Sequence, residues 1–166
     1  MFAIEKEVLV CVHCQAEVQA TEEYCPHCGM LFEEERVCAN HHAITAKGAC
    51  VICGETFCRQ CGGWRNDRFL CRAHASYEIY EGMARIYGTL DDSIAQYAHA
   101  CLEQAGLHPF LFAPTQPWHG SRMLSNTILH AGGDAAGHAV YEVKVMVPCA
   151  EALAAEKLLR ELQMHE

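Results

Sequence analysis

Six short pairs of cysteine and histidine constrain what this chain can fold into. Four are C-x-x-C pairs: Cys11/Cys14, Cys25/Cys28, Cys50/Cys53 and Cys58/Cys61. Two are C-x-x-H pairs: Cys38/His41 and Cys71/His74. Ten of the twelve cysteines in the 166 residues precede residue 72. Such a pattern is either a disulfide framework or a set of zinc sites. The opening MFAIEKEVLV has acidic residues where a secretory leader has a basic flank and a long apolar run, and no segment approaches the length of a membrane span. The expected compartment is therefore the reducing cytoplasm, where vicinal thiols favour metal over cystine. A tight turn aims both thiolates of a C-x-x-C pair at one ion. The ligand count agrees: ten cysteines with His41 and His74 make twelve donors, enough for three four-coordinate structural zinc ions with no cysteine left over in this region.

Composition excludes several alternatives. With 51% hydrophobic and 20% charged residues the chain is not a disordered tail. A net charge of -9 argues against a free-standing binder of nucleic acid or anionic membrane. The charge is unevenly spread. Residues 1–36 carry two basic and eight acidic side chains, 37–75 five and two, and 76–166 five and eleven. The run Glu33-Glu34-Glu35-Arg36 reads as an exposed, solvated joint between the first two blocks. Three regions follow: 1–36, 37–75 and 76–166.

In the first region, Cys11-Val-His-Cys14 and Cys25-Pro-His-Cys28-Gly29 would close a tetrahedron from two knuckles. Gly29 suits the left-handed backbone such a turn needs. Val8, Val10 and Val12 alternate, as do Val18 and Ala20, which predicts a strand into the knuckle and a strand out. Leu31 and Phe32 are expected to cover the site, with His13 and His27 as exposed spacers. Residues 9–32 resemble the short zinc ribbons of bacterial proteins. Four thiolates leave no open metal position, so a structural ion is expected rather than a catalytic one.

In the second region eight ligands imply two ions, and spacing alone leaves three pairings open. The stretch CANHHAITAKGACVICGETFCRQCGGWRNDRFLCRAH resembles a B-box-type zinc finger. That resemblance implies a cross-brace, with Cys38, His41, Cys58 and Cys61 on one ion and Cys50, Cys53, Cys71 and His74 on the other. His42 is the alternative to His41. The apolar supply is thin: Val51, Ile52, Phe57, Trp64, Phe69 and Leu70. A segment this short cannot bury enough surface to fold unaided. Structural zinc, at roughly 10–16 kcal/mol in finger peptides, makes up the difference. Trp64 is expected as core or cover. Arg59, Arg65, Arg68 and Arg72 form a candidate basic patch, small and flanked by acidic neighbours. The B-box resemblance points instead to protein contacts.

The third region reads as strand 83–88, a helix capped by Thr89 or Asp91, and strand 108–112. A hairpin pairing 123–130 with 138–147 and a closing helix after Pro148 complete it. Ile94, Tyr97, Ala98, Cys101, Leu102 and Ala105 mark the expected buried face of the first helix, with Gly106 ending it. Ala152, Ala155, Leu159 and Leu162 mark that of the last. The order β-α-β-β-β-α predicts a sheet with both helices on one side. IYGTLDDSIAQYAHACLEQAGLHPFLF and YEVKVMVPCAEALAAEKLLREL resemble small bacterial domains described as signal-transducing proteins. That implies an α+β, ferredoxin-like or PII-like fold. No nucleotide-binding glycine motif is present. Cys101 is expected as a core thiol. Cys149 sits where a helix start would lower its pKa, but with no histidine evidently beside it. His130 and His138 flank the hairpin and could face each other across it.

The chain is thus expected to be a non-enzymatic zinc protein acting through a protein partner, with the last region as a regulatory or oligomerising unit. A zinc-dependent redox or metal sensor and a nucleic-acid-associated factor are the alternatives.

Overall fold

The computed structural model describes residues 7–33, 35–113 and 142–164. Of the expected hairpin, 123–130 with 138–147, residues 123–141, His130 and His138 among them, lie outside the described residues, while 143–147 falls within a described strand. The chain divides into two compact units, 1–84 with 149–153 and 85–148 with 154–166.

The first unit contains only short pieces of regular structure. Strands β1 (Val8–Val10) and β2 (Glu17–Gln19) pair antiparallel around the first knuckle, Leu9 opposite Val18. Val18 is buried, but Val8, Leu9, Val10 and Val12 are all exposed. The alternation makes a strand; a two-stranded ribbon offers no second layer to bury its valines against. Strands β3 (Gly48–Ala49) and β4 (Thr56–Phe57) pair antiparallel around Cys50 and Cys53. Strands β5 (Gly62–Arg65) and β6 (Arg68–Cys71) form a hairpin with Trp64 opposite Phe69 and Arg65 opposite Arg68. Its two-residue turn, Asn66-Asp67, has φ of 46° and 60°, the mirror-image turn that matches strand twist. A 3₁₀ turn, Arg72–His74, then carries the last ligand.

The ribbon docks onto this second segment through its backbone. The Ala49 N–H donates to the Gly29 carbonyl, and the Phe69 N–H to the Cys28 carbonyl, each at 2.8 Å. Gly29 has φ +85°, and a Cβ there would stand 2.1 Å from the Ala49 oxygen and 2.9 Å from Phe69 Cβ. Only glycine meets both demands. Phe69, 1% exposed, is the largest fully buried side chain in the unit. In the joint, Glu33 and Glu35 are exposed, while Arg36 forms ion pairs with Glu23 and, at 3.6 Å, with Glu33.

A four-stranded sheet has the order β7-β8-β10-β9, with β7 Ile79–Tyr80, β8 Met83–Thr89, β9 Phe110–Phe112 and β10 Val143–Pro148. The pairings β7–β8 and β9–β10 are antiparallel, the latter with Val145 opposite Leu111. Helix α1 (Asp92–Gln104) links β8 to β9. Asp91 caps it, accepting from the Ser93 and Ile94 N–H groups at 2.8 and 3.3 Å. Gly106 at φ +80° closes it, with Leu107 N–H donating back to Leu102 O and Gly106 N–H to Glu103 O. The buried face is Ala95, Ala98 and Leu102; Ile94 and Tyr97 are exposed and Cys101 is half-buried. The observed face is rotated from the expected one: it adds Ala95 and leaves Ile94, Tyr97 and Ala105 exposed. A 3₁₀ turn, Cys149–Glu151, leads into α2 (Ala152–Glu161). Ala152, Ala155 and Leu159 are buried as expected, whereas Leu162 lies past the helix end and is exposed. Among the described residues no helix is long and apolar enough to cross a membrane.

Candidate metal centres

Each C-x-x-C pair is set by the same local device. The N–H of the residue after the second cysteine donates to the carbonyl of the first: Gln15 to Cys11 at 2.9 Å, Gly29 to Cys25 and Gly54 to Cys50 at 2.8 Å, Gly62 to Cys58 at 3.0 Å. Three of these residues, Gln15, Gly29 and Gly54, have positive φ. The sequence marks the glycines; Gln15 adopts the same strained backbone with no such sign. The turns leave both sulfurs of each pair on one side.

Three four-donor sets result: Cys11, Cys14, Cys25 and Cys28; Cys38, His41, Cys58 and Cys61; Cys50, Cys53, Cys71 and His74. Within each set the donor atoms lie within 4.8 Å of one another. In the second segment the pairs interleave, first with third and second with fourth. His41 Nδ1 is the imidazole donor of its set, and His42 is exposed. Sulfurs about 2.3 Å from a tetrahedral ion stand about 3.8 Å apart, and a sulfur and an imidazole nitrogen about 3.6 Å apart. In the ribbon, Cys11 Sγ is 3.8 Å from Cys28 Sγ and Cys14 Sγ is 3.5 Å from Cys25 Sγ. In the second set His41 Nδ1 lies 3.8, 3.5 and 3.3 Å from the sulfurs of Cys38, Cys58 and Cys61. In the third, His74 Nδ1 lies 3.6 Å from Cys50 Sγ and 3.2 Å from Cys71 Sγ. All twelve cysteines are free thiols. Each set has the size of a zinc tetrahedron and could hold one zinc ion.

The electrostatics also call for a cation. Burial raises the Cys11 thiol, but backbone N–H groups of Cys14 and His13 outweigh it and bring it to about 7. Burial likewise opposes Cys38, which backbone groups and His41 hold at about 6. Cys50 is held at about 4, first by the Cys53 thiol beside it. Their neighbours go the other way: burial pushes Cys25 to about 11 and raises Cys28, and the Cys50 thiolate raises Cys53. Without a positive ion, each set can shed some protons but not all. A divalent cation removes that conflict.

The first set is the more enclosed. Met30 and Cys14 pack against its buried sulfurs; Leu31 is half-buried and Phe32 exposed, so Met30, not the expected pair, provides the cover. Tyr24 is joined to Leu31 by a lone β-bridge. His13 is exposed as expected, yet its ring lies 4.6 Å from that of Trp64. Trp64, 42% exposed, also meets Phe69 edge-on at 5.6 Å. It is cover rather than core. Cys149 is buried, and burial pushes its thiol up to about 11, the reverse of what a position before a helix suggested. A thiol so protonated is a poor nucleophile.

Comparison with known proteins agrees with the metal chemistry in one place. A zinc-ribbon domain family matches residues 10–31, which contain the first set. No curated protein and no solved structure matches the chain. By donor sets and fold, then, this is a zinc-binding protein: Cys/His modules in the N-terminal region, followed by a small antiparallel sheet with helices.

Proposed function

We propose that the chain is a non-enzymatic, cytoplasmic adaptor in which three structural zinc ions hold a surface that binds another protein. The observation that carries this reading is the closure of the donor sets. Twelve ligands fall into three groups of four, which leaves no coordination position for water or substrate. In this reading residues 37–75 are a B-box-type finger, supported by the interleaving of its ligand pairs. Residues 76–166 are a ferredoxin-like or PII-like signal-transducing domain. The support there is the sheet order, which inserts β10 between two strands joined through α1. Such a domain is a candidate for regulation or self-association. The test is in-cell crosslinking of the tagged full chain, with and without a cell-permeant zinc chelator. A partner recovered only with zinc is expected; the reading fails if no protein is crosslinked in a zinc-dependent way.

A second reading, a zinc-dependent redox or metal sensor, draws on one half-exposed cysteine in each set: Cys14, Cys53 and Cys61. A peroxide would take two electrons from two thiolates, forming a disulfide and water and releasing the ion. Zinc release by dilute hydrogen peroxide, reversed by dithiothreitol and added zinc, is its signature.

A further inference from the structure

Four arginines converge on one face of the first unit. Two adjoining clefts, of about 310 and 420 Å³, share Arg65, Leu70 and Ala75 in their walls. Arg68 lines the smaller, Arg59 and Arg72 the larger, and among the described residues no carboxylate lines either. Among the described residues none of these four arginines has an ion-pair partner, whereas Arg36, Arg85 and Arg160 each face a glutamate. Arg65 and Arg68 stand directly opposite in the β5–β6 register. Like charges so placed repel, and an anion between them would relieve the repulsion. Arg68 Nε is shielded from solvent and has no acceptor among the described residues. The one acid of the hairpin, Asp67, lies in its turn and lines neither cleft.

The floor and rim suit a peptide. Leu70 is buried, and Trp64, which lines the larger cleft, is exposed but braced by His13 and Phe69. A rigid aromatic beside arginines is the composition of interface hot spots. Charge decides between a peptide and a nucleic acid. The zinc-loaded second and third sets would each carry about -1, so with its five basic and two acidic side chains the segment 37–75 stays about +1. The chain as a whole is -9. A polynucleotide would extend past the clefts onto acidic surface, whereas a short acidic segment ends within them.

We propose that this double cleft is the docking site for an acidic segment of a partner protein, with Arg59, Arg65, Arg68 and Arg72 pairing its carboxylates and Trp64 packing against its backbone. The proposal rests on the adaptor reading and supplies its partner chemistry. The zinc-loaded full chain is titrated into two fluorescein-labelled probes, a glutamate-rich decapeptide and an oligothymidylate, with anisotropy as readout. The peptide should bind, and more tightly than the oligothymidylate. Double substitution Arg65→Gln/Arg68→Gln should weaken it about tenfold or more, as expected for lost charge-assisted hydrogen bonds. Arg160→Gln, on the exposed end of α2, should leave binding unchanged. Native mass spectrometry verifies that each variant retains three zinc ions, and Arg59→Gln/Arg72→Gln gives a second test away from the turn. The assignment is overturned if the peptide does not bind, if both double variants bind it as well as the parent chain, or if the oligothymidylate binds more tightly. A zinc-dependent crosslinked partner retained equally by the double variants would refute the cleft and leave the adaptor reading standing. The absence of any such partner would refute the adaptor, whatever the peptide does.

Discussion

In the first unit the larger side chains fully shielded from water are mostly thiols. Cys11, Cys25, Cys28, Cys38 and Cys50 are at most 1% exposed, joined by Phe69. In the second unit the same depth is filled by Ala95, Ala98, Leu102, Val145 and Val147, all at 0%. One unit is organised by directional bonds from sulfur and imidazole, the other by non-directional apolar contact. Four cysteines and a metal fix a geometry that would otherwise need many residues of core, so the first unit manages with strands of two to four residues.

The contrast is most exposed to chelation. Removing zinc should unfold the first unit, since each ion contributes roughly 10–16 kcal/mol in comparable small modules. Helix α1 should survive in the second. Amide chemical shifts of residues 37–75 would collapse toward random-coil values while those of 92–104 keep helical values; collapse of both would erase the distinction. A single ligand substitution sharpens it. Cys58→Ala should lower the bound zinc from three ions to two by native mass spectrometry, with the ribbon's ion retained. Gly29→Ala probes the docking of the ribbon: the left-handed backbone alone costs about 1–2 kcal/mol, and the clash with Ala49 adds to it. The expected result is a lower melting temperature of the first unit without loss of zinc stoichiometry. In the second unit Leu102→Ala should cost about 2–5 kcal/mol by chemical denaturation, the ordinary cost of a core cavity. Asp91→Ala should cost about 1 kcal/mol, the value of a helix cap.

The same division explains what the sequence made legible. Ligand spacing is local, so the six pairs and the knuckle at Gly29 could be read directly. How the pairs of the second segment combine depends on the path of β3 to β6 through space, and spacing alone left three choices. The knuckle at Gln15 was invisible because a non-glycine residue holds the positive φ. In the second unit the caps at Asp91 and Gly106 were legible because they obey rules of one or two residues. The buried face of α1 was not. Ile94 and Tyr97 carry far more apolar surface than Ala95, yet the helix buries Ala95 and Ala98 beside Leu102 and leaves the two larger side chains exposed. The arginines were visible as a composition, but their convergence on two clefts required the β5–β6 register and the Asn66-Asp67 turn.

Cys28 lends its sulfur to one four-donor set and its carbonyl to the strand that ends at Cys71, a donor of another set. Occupancy at one place therefore stiffens the framework of the next. During biosynthesis or after a period of metal scarcity, the ions of these two sets should enter as a cooperative pair, and molecules with one of the two filled and the other empty should be rare at intermediate supply.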